Sequence, residues 1–563
     1  LPAWGGVGWP ARREELYADA VDLLLDWWES QRVARDAQGK TMLTQPSLTE
    51  WLRVDRERVR ALLNEVAFEA HANQPTLVGP ADIAESTLVT RLLYINENED
   101  VKPRLLVAYL SQRAGLLLPR GLKNYTFPHR TFQEYLAACY LTDVEYPDTI
   151  AELSRQDPIR WREVTLLAGA KAARGTASAI WQLVDALCFR EPTDAAYTNA
   201  DVWGAHLAGQ ALVEAANLQQ VSPRHRPKVE RVGRALAHAL GSQALPPIER
   251  ALAGRSLARI GDPRGEIMGI DGMAFCYVAA GDFAQGDLAD VRSLSYGYWL
   301  GRYPVTQAQF HLFVAAGGYT DARYWPEAEQ AGFWQRQGFQ GRYDSRPRSE
   351  PRKVGEPFHL PNHPVVGISW YEALAFARWL DGQLSARKLL SPEWQVQLPC
   401  ELEWEKAARG GEQIPVRPVV VQLHHWRERR EAASPLSANP MPARLYPWGD
   451  TPDPDCANFE RTEIGATNAV GSFALGASPY GVEEMSGNVW EWTRSLEHSQ
   501  TDPADELGSG QLAAHPDTPR ISRGGAYQYY EYFVRCAERY GSPPDDWNKL
   551  YGFRLALTPR SGI

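Results

Sequence analysis

RGGAYQYYEYFVRCAERYGSPPDDWNKLYGFR, residues 523–554, sets a dense aromatic cluster between two borders of Gly and Arg. Five of the seven residues from Tyr527 to Phe533 are aromatic (Tyr527, Tyr529, Tyr530, Tyr532 and Phe533), and they fall on both parities of an extended chain. A half-buried strand needs bulk on one face only. A strand buried on both faces favours Val, Ile and Leu over phenols, each of which wants a hydrogen-bond partner. Tyrosine supplies rigid, amphipathic contact area at low entropic cost, and evolved binding surfaces use it for that reason. The stretch reads as binding surface, with a core strand as the competing reading.

Outward from this stretch, the chain has 563 residues, of which 44% are hydrophobic and 23% charged. That length allows roughly two to four domains, and the composition is globular. A net charge of −10 and a pI near 5.8 argue against a partner bound through nucleic-acid phosphates, which need a basic face. The six cysteines are scattered with no CxxC pair, the pattern of a reducing compartment. LPAWGGVGWPARREELY at the start has no basic region leading into an apolar one, and no apolar run of about 18 residues appears. The expectation is a cytoplasmic protein with no membrane contact. The chain opens without Met, and the reading expects a fragment of a longer protein.

Residues 10 to about 260 read as helical. Leu16, Val21, Leu24, Leu25 and Trp28 recur at amphipathic spacing, and FPHRTFQEYLAACYL (127–141) and IRWREVTLLAGAKAA (159–173) repeat the pattern. IERALAGRSLARIGDPRGE (248–266) closes the region with a helix stopped by Gly261 and Pro263. After Ile267 short apolar runs alternate with Gly, Pro and Trp. Twelve of the twenty tryptophans lie past residue 290, which implies flat packing elements between loops. SWYEALAFARWLDGQ (369–383), with Ser369 and Glu372 at capping-box positions, and CELEWEKAARGG (400–411) are the predicted helices of this part. The Pro- and charge-rich stretches 341–362 and 411–445 read as surface insertions.

The C-terminal part resembles the formylglycine-generating enzyme family, a branch of the C-type lectin fold. YWLGRYPVTQAQF (298–310), NHPVVGISWYEALAFARWL (362–380), LPCELEWEKAARGG (398–411), YPWGD (446–450), GVEEMSGNVWEWT (481–493), RGGAY (523–527) and YGFRLAL (551–557) carry the match, in order. The expected fold class is α+β: an all-helical, winged-helix-containing region over 1–265, then a C-type lectin domain over 266–563. Enzymes of the family carry a cysteine pair shortly after RGG, where soft thiolates hold copper. By that resemblance Tyr529 stands in the first cysteine's place, and Cys536 matches a cysteine outside the pair. The reading expects no enzyme activity and no required cofactor. An oxidase with an unorthodox site stays as the alternative.

A scaffold kept without its chemistry resembles the variable proteins of diversity-generating retroelements. The variable region would run over about 523–554. Its displayed positions would be Tyr529, Tyr530, Tyr532, Phe533, Tyr540, Ser542, Asp546, Asn548 and Tyr551, with Tyr527 and Trp547 beside them. Tyr551, a phenol ahead of GFR where the family usually has a small aliphatic residue, points to diversification or exposure. The partner would be a macromolecule, a protein by preference. Arg523, Gly524, Gly525, Gly552, Phe553 and Arg554 would be frame, and Trp490 and Trp492 core. Related proteins bind calcium near this segment. The resemblance implies a structural calcium on Glu484, Glu491 and the carbonyls of Gly487 and Val489, and a weaker site at Asn458 and Phe459.

The N-terminal part resembles the helical region that follows the nucleotide-binding core of NACHT signalling NTPases. LPAWGGVGWPARREELYADAVDLLLDWW, FPHRTFQEYLAACYL and WREVTLLAGA carry this match. His129, Arg130 and Glu134 read as a local cap and ion pair ahead of acid/base machinery. Neither GxxxxGKS nor GxxxxGKT occurs in the chain, so an ATPase domain is expected upstream in a longer protein. The picture is a sensor with the lectin-like end as receptor. An undiversified interaction module of a NACHT protein is the remaining alternative.

Overall fold

Asp55 opens the helix Arg56–Asn73 by accepting the Arg58 N–H at 2.8 Å, and Ser47 with Glu50 forms a capping box on Leu48–Leu52. Such side chains satisfy the first N–H groups of a helix, which have no partner inside it. The computed structural model describes residues 13–29, 32–35, 41–111, 116–336, 338–429, 431, 434–497 and 517–560. Its contacts divide the chain into two units, Leu1–Ala235 and Leu236–Ile563.

In the first unit the helix Arg56–Asn73 packs on Arg130–Val144, which packs on Pro158–Gly175. A three-stranded antiparallel wing of Ile83–Ala84, Asn124–Thr126 and Leu118–Pro119 stands beside them. His129 caps Arg130–Val144 through Nδ1, which accepts the Thr131 N–H at 3.3 Å, and Arg130 bonds Glu134 at 2.7 Å. These three residues therefore cap and pair locally.

The second unit starts earlier than residue 266. Helix α1 (Pro247–Ile260) lies within it: the Gly254 carbonyl accepts Asn362 Nδ2 at 3.1 Å, and a Cβ on Gly254 would meet the Ala469 Cβ at 2.7 Å. The amphipathic pattern that marks α1 as helical carries no information about which unit it packs on.

Strands β1 (Ala274–Val278) and β2 (Tyr298–Gly301) come next, followed by helix α2 (Trp370–Ala386), strand β3 (Trp394–Gln397) and helix α3 (Glu401–Arg409). Strand β4 is Val420–Gln422. After it come β5 (Trp490–Leu496), β6 (Arg520–Arg523), β7 (Arg539–Ser542), β8 (Tyr551–Phe553) and β9 (Ala556–Pro559). One antiparallel sheet runs β3-β9-β2-β1-β4 and a second runs β7-β6-β5-β8, with β5 and β8 parallel. The 411–445 insertion is thus more than a surface loop, because it supplies the edge strand β4.

Ser369 and Glu372 cap α2 as predicted, and α3 stops at Gly410, which takes φ 91°. The fully buried side chains include Trp299, Trp325, Trp370, Trp404, Trp426, Trp490 and Trp492, the flat packing elements expected from the tryptophan count. Phe553 sits at the centre, edge-on to Phe376 at 5.6 Å and to Phe310 at 6.2 Å. Aromatic pairs in this geometry add to the burial of their area. Phe553→Ala is expected to cost about 3–5 kcal/mol in chemical denaturation followed by tryptophan fluorescence; a loss below about 1 kcal/mol would remove Phe553 from the centre of the core.

Candidate ligand-binding surface

The Arg and Gly borders of 523–554 each close on a buried glutamate. At the GFR end, Arg554 donates through Nε and Nη2 to Glu491 at 2.5 and 2.6 Å. It also donates to the carbonyls of Gly301 (2.9 Å), Glu483 (3.0 Å) and Glu484 (3.1 Å), and Trp404 Nε1 donates to Glu491 at 2.7 Å. Arg554 and Glu491 are both buried. At the RGG end, Arg523 donates to Glu405 at 2.6 Å and to the Cys536 carbonyl at 2.9 Å. Gly525 then turns the chain out of β6 at φ 73°, where a Cβ would lie 2.4 Å from the Phe533 carbonyl oxygen. Only glycine fits there.

Between these borders Tyr527 to Phe533 is a turn followed by the short 3-10 helix Glu531–Val534. The two-parity aromatic pattern comes from this turn, which sends side chains in several directions. Tyr530 (61%), Tyr532 (52%), Tyr540 (52%) and Phe533 (38%) are exposed. Tyr529 is half-buried, edge-on to Phe533 at 5.5 Å and to Trp490 at 5.7 Å. Tyr540 also lies against Trp490, at 5.9 Å, and the Arg535 guanidinium covers Tyr532 at 3.8 Å. These side chains make one aromatic ledge over a buried tryptophan. Backbone ties hold it: Glu460 N donates to the Tyr529 carbonyl and Tyr446 Oη to the Glu531 carbonyl, both at 3.0 Å.

Three of the residues read as displayed are interior. Tyr527 packs on Phe358 at 5.8 Å, in a cluster with Val366, Ala466 and Val489, and burial pushes its hydroxyl up to about 12. Tyr551 lies tilted against Trp492 at 4.6 Å, and its hydroxyl pairs with the buried Ser542 Oγ at 2.6 Å. The phenol at 551 is accommodated inside because Ser542 answers its hydroxyl, which one-dimensional reading could not show. Asp546, Trp547 and Asn548 are half-buried. Asn548 Oδ1 accepts the Leu550 N–H at 2.7 Å, Asp546 Oδ1 accepts the Trp547 N–H at 2.9 Å, and the Arg352 guanidinium lies 4.0 Å from the Trp547 ring centroid.

The residues expected to hold calcium have other partners. Both Glu491 oxygens are taken by Arg554 and Trp404. Glu484, at φ 56°, accepts the Gly471 N–H at 2.9 Å and Asn488 Nδ2 at 2.8 Å, and burial pushes its carboxyl up to about 7. The Gly487 carbonyl accepts the Val489 N–H at 2.8 Å. At the weaker set, the Asn458 carbonyl accepts the Asn488 N–H and its Nδ2 donates to Asn468 at 2.6 Å, while the Phe459 carbonyl accepts Thr462 Oγ1 at 2.7 Å. Calcium takes six to eight oxygen ligands, and of this set the Glu491 carboxylate is committed to the Arg554 guanidinium. Among the described residues no three or more His, Cys, Asp or Glu side chains group as metal ligands. Cys536 is buried in the core with Cys276 and Trp404, and burial pushes its thiol up to about 12, the opposite of an activated nucleophile.

Known proteins bear on both units. Residues 13–141 match the winged helix-turn-helix domain C-terminal to NACHT, so the first unit contains that NACHT-associated domain. Among curated proteins, the chain is 27% identical over 293 residues to the serine/threonine-protein kinase pkn1 of Chlamydia pneumoniae, a match covering 50% of this chain and 37% of that one. It is 27% identical over 299 residues to the formylglycine-generating enzyme of Thermomonospora curvata, with 46% of this chain and 82% of that one covered. The chain thus spans little more than a third of the kinase's length. Among solved structures, Treponema denticola variable protein 1 is similar at 18% identity and a TM-score of 0.32, over 51% of this chain and 94% of that one. No helix among the described residues is long and apolar enough to cross a membrane. Residues 270–559, more than half of the chain, match the sulfatase-modifying factor enzyme 1-like domain, and the chain belongs to that family.

Proposed function

We propose that the second unit is a ligand-recognition domain that uses a formylglycine-generating-type C-type lectin scaffold to present a replaceable aromatic surface to a protein partner. The carrying observation is the ledge of Tyr530, Tyr532, Phe533 and Tyr540, exposed above a floor in which Arg523, Arg554 and the glycines are buried. Aromatic side chains on an immobile base bind with little entropic loss. The floor under the ledge is the buried Trp490, which Tyr529 and Tyr540 face at 5.7 and 5.9 Å. In this reading the surface is diversified by a retroelement, the helical unit transmits, and an ATPase domain lies upstream in a cytoplasmic NACHT protein.

Oxidation of a peptide cysteine is not part of the proposal. By the family resemblance Tyr529 would stand in the place of one cysteine, and Cys536 is buried among Arg409, Glu405, Arg523 and Arg444, a poor setting for Cu(I). Copper-loaded protein is expected to leave a cysteine-containing sulfatase-motif peptide unoxidised by mass spectrometry; turnover to the aldehyde would replace the binding proposal with the oxidase. Replacing Tyr530, Tyr532 and Tyr540 together by Ser is expected to change stability by less than about 1.5 kcal/mol, whereas Tyr551→Ala costs about 3–5 kcal/mol. Equal losses from the two variants in the same denaturation assay would mean that the ledge is structural. The DNA beside the gene is expected to hold a reverse transcriptase and a near-copy of the segment encoding 523–554 that differs at adenines. Its absence would leave recognition by an undiversified surface.

A further inference from the structure

GRYDSRPRSEPRK, residues 341–353, carries five cations against two carboxylates on a chain whose net charge is −10. It belongs to a stretch that reads as a surface insertion, yet it is pinned. Arg348 donates to both oxygens of the buried Glu372 at 2.7 and 2.8 Å, at the start of α2. Arg348 and Phe339 exchange backbone hydrogen bonds at 2.9 and 3.2 Å. Asp344 Oδ2 accepts the Gly341 N–H and Arg348 Nε, both at 2.9 Å. Arg348 and Arg352 both pair with Asp344, and the Arg342 guanidinium lies 3.5 Å from Asp545, so the cations left facing outward are chiefly Arg346 and Lys353. The side chains of Arg342 and Lys353 are 59% and 73% exposed, and Arg346 is exposed too. Glu350, 3.1 Å from Lys353, is their one exposed carboxylate within the stretch. Arg346, Arg352 and Lys353 line a surface cavity of about 500 Å³, where the Arg352 guanidinium pairs with Asp344 through Nη2 and leaves its Nε without a hydrogen-bond partner.

This loop borders the 523–554 segment directly. The Arg342 N–H donates to Asp545 at 3.1 Å, and the Arg352 guanidinium lies 4.0 Å from the Trp547 ring centroid. We propose that 341–353 is the constant, cationic half of the recognition surface, and that the partner is a protein presenting an acidic segment next to an apolar one. The inference rests on the ligand-recognition reading above and names its partner class. Guanidinium groups pair with carboxylates in a planar, two-point geometry, and charge complementarity sets register and rejects wrong partners. A pinned loop holds these cations in place before the partner arrives, so little ordering is left to be done on binding. Nucleic acid is the less suitable occupant, since a handful of cations on an acidic chain gives a short phosphate track.

The test is a selection from a phage-displayed library of random 16-residue peptides on three forms of the full chain: wild type, R346S/K353S, and Tyr530→Ala with Tyr532→Ala. All three are checked for folding by thermal melt, which exposed substitutions leave unchanged. Wild type is expected to enrich peptides with Asp or Glu runs beside aromatic or aliphatic residues. R346S/K353S should lose the acidic preference and keep the apolar one, and the tyrosine variant should do the reverse. For the selected peptides, fluorescence anisotropy should show affinity falling at least about fivefold from 50 to 300 mM NaCl in wild type, with a smaller fall in R346S/K353S. Enrichment of apolar peptides without acidic residues would overturn the cationic-half proposal and leave the recognition reading standing. No enrichment on wild type would overturn both. Tighter binding of a fluorescein-labelled 20-nucleotide single strand than of any selected peptide, abolished by R346S/K353S, would replace the acidic protein with nucleic acid.

Discussion

The Arg554–Glu491 pair is the interaction on which the lectin-like unit depends. Arg554 follows β8 and Glu491 lies in β5, while the other acceptors of Arg554, the carbonyls of Gly301, Glu483 and Glu484, belong to the end of β2 and to the loop before β5. One guanidinium therefore ties the two sheets together from inside. Burying a charge is costly unless every polar atom finds a partner. Here each nitrogen of Arg554 has an acceptor, and both Glu491 oxygens have donors. The pair also commits both Glu491 oxygens to hydrogen bonds, from Arg554 and from the Trp404 indole N–H.

From that tie follows the division between floor and ledge. Arg523 on Glu405 repeats at the start of the segment what Arg554 on Glu491 does at its end, so 523–554 is clamped at both ends. Its middle is then free of structural duty wherever it faces outward. Tyr530, Tyr532, Phe533 and Tyr540 face outward, whereas Tyr527, Ser542 and Tyr551 do not. A clamped segment with an unburdened middle can change its side chains without changing its path, which is what a recognition surface needs.

Much of the fold was legible in the sequence, and part of the site was not. The capping box at Ser369 and Glu372, the stop at Gly410 and the buried tryptophans are local or compositional signals, and each stands in the structure where the sequence put it. Tyr551 and Tyr527 were misplaced because exposure depends on partners distant in sequence: Ser542 for one, Phe358 for the other. The loop 341–353 was seen only as an insertion. Its position beside Trp547 needs the contact between Arg342 and Asp545, two hundred residues apart.

By itself the sequence determined the two-part organisation, the family, the Gly and Arg borders and the identity of the aromatic residues between them, because these rest on residue type, order and short-range spacing. The tertiary structure alone decided which of those aromatics reach solvent, that Glu491 answers an arginine, that α1 packs in the second unit, and that a cationic loop lies against the segment. Each of these is set by packing and electrostatic pairing between residues far apart in the chain, and such pairings leave no trace in the local pattern.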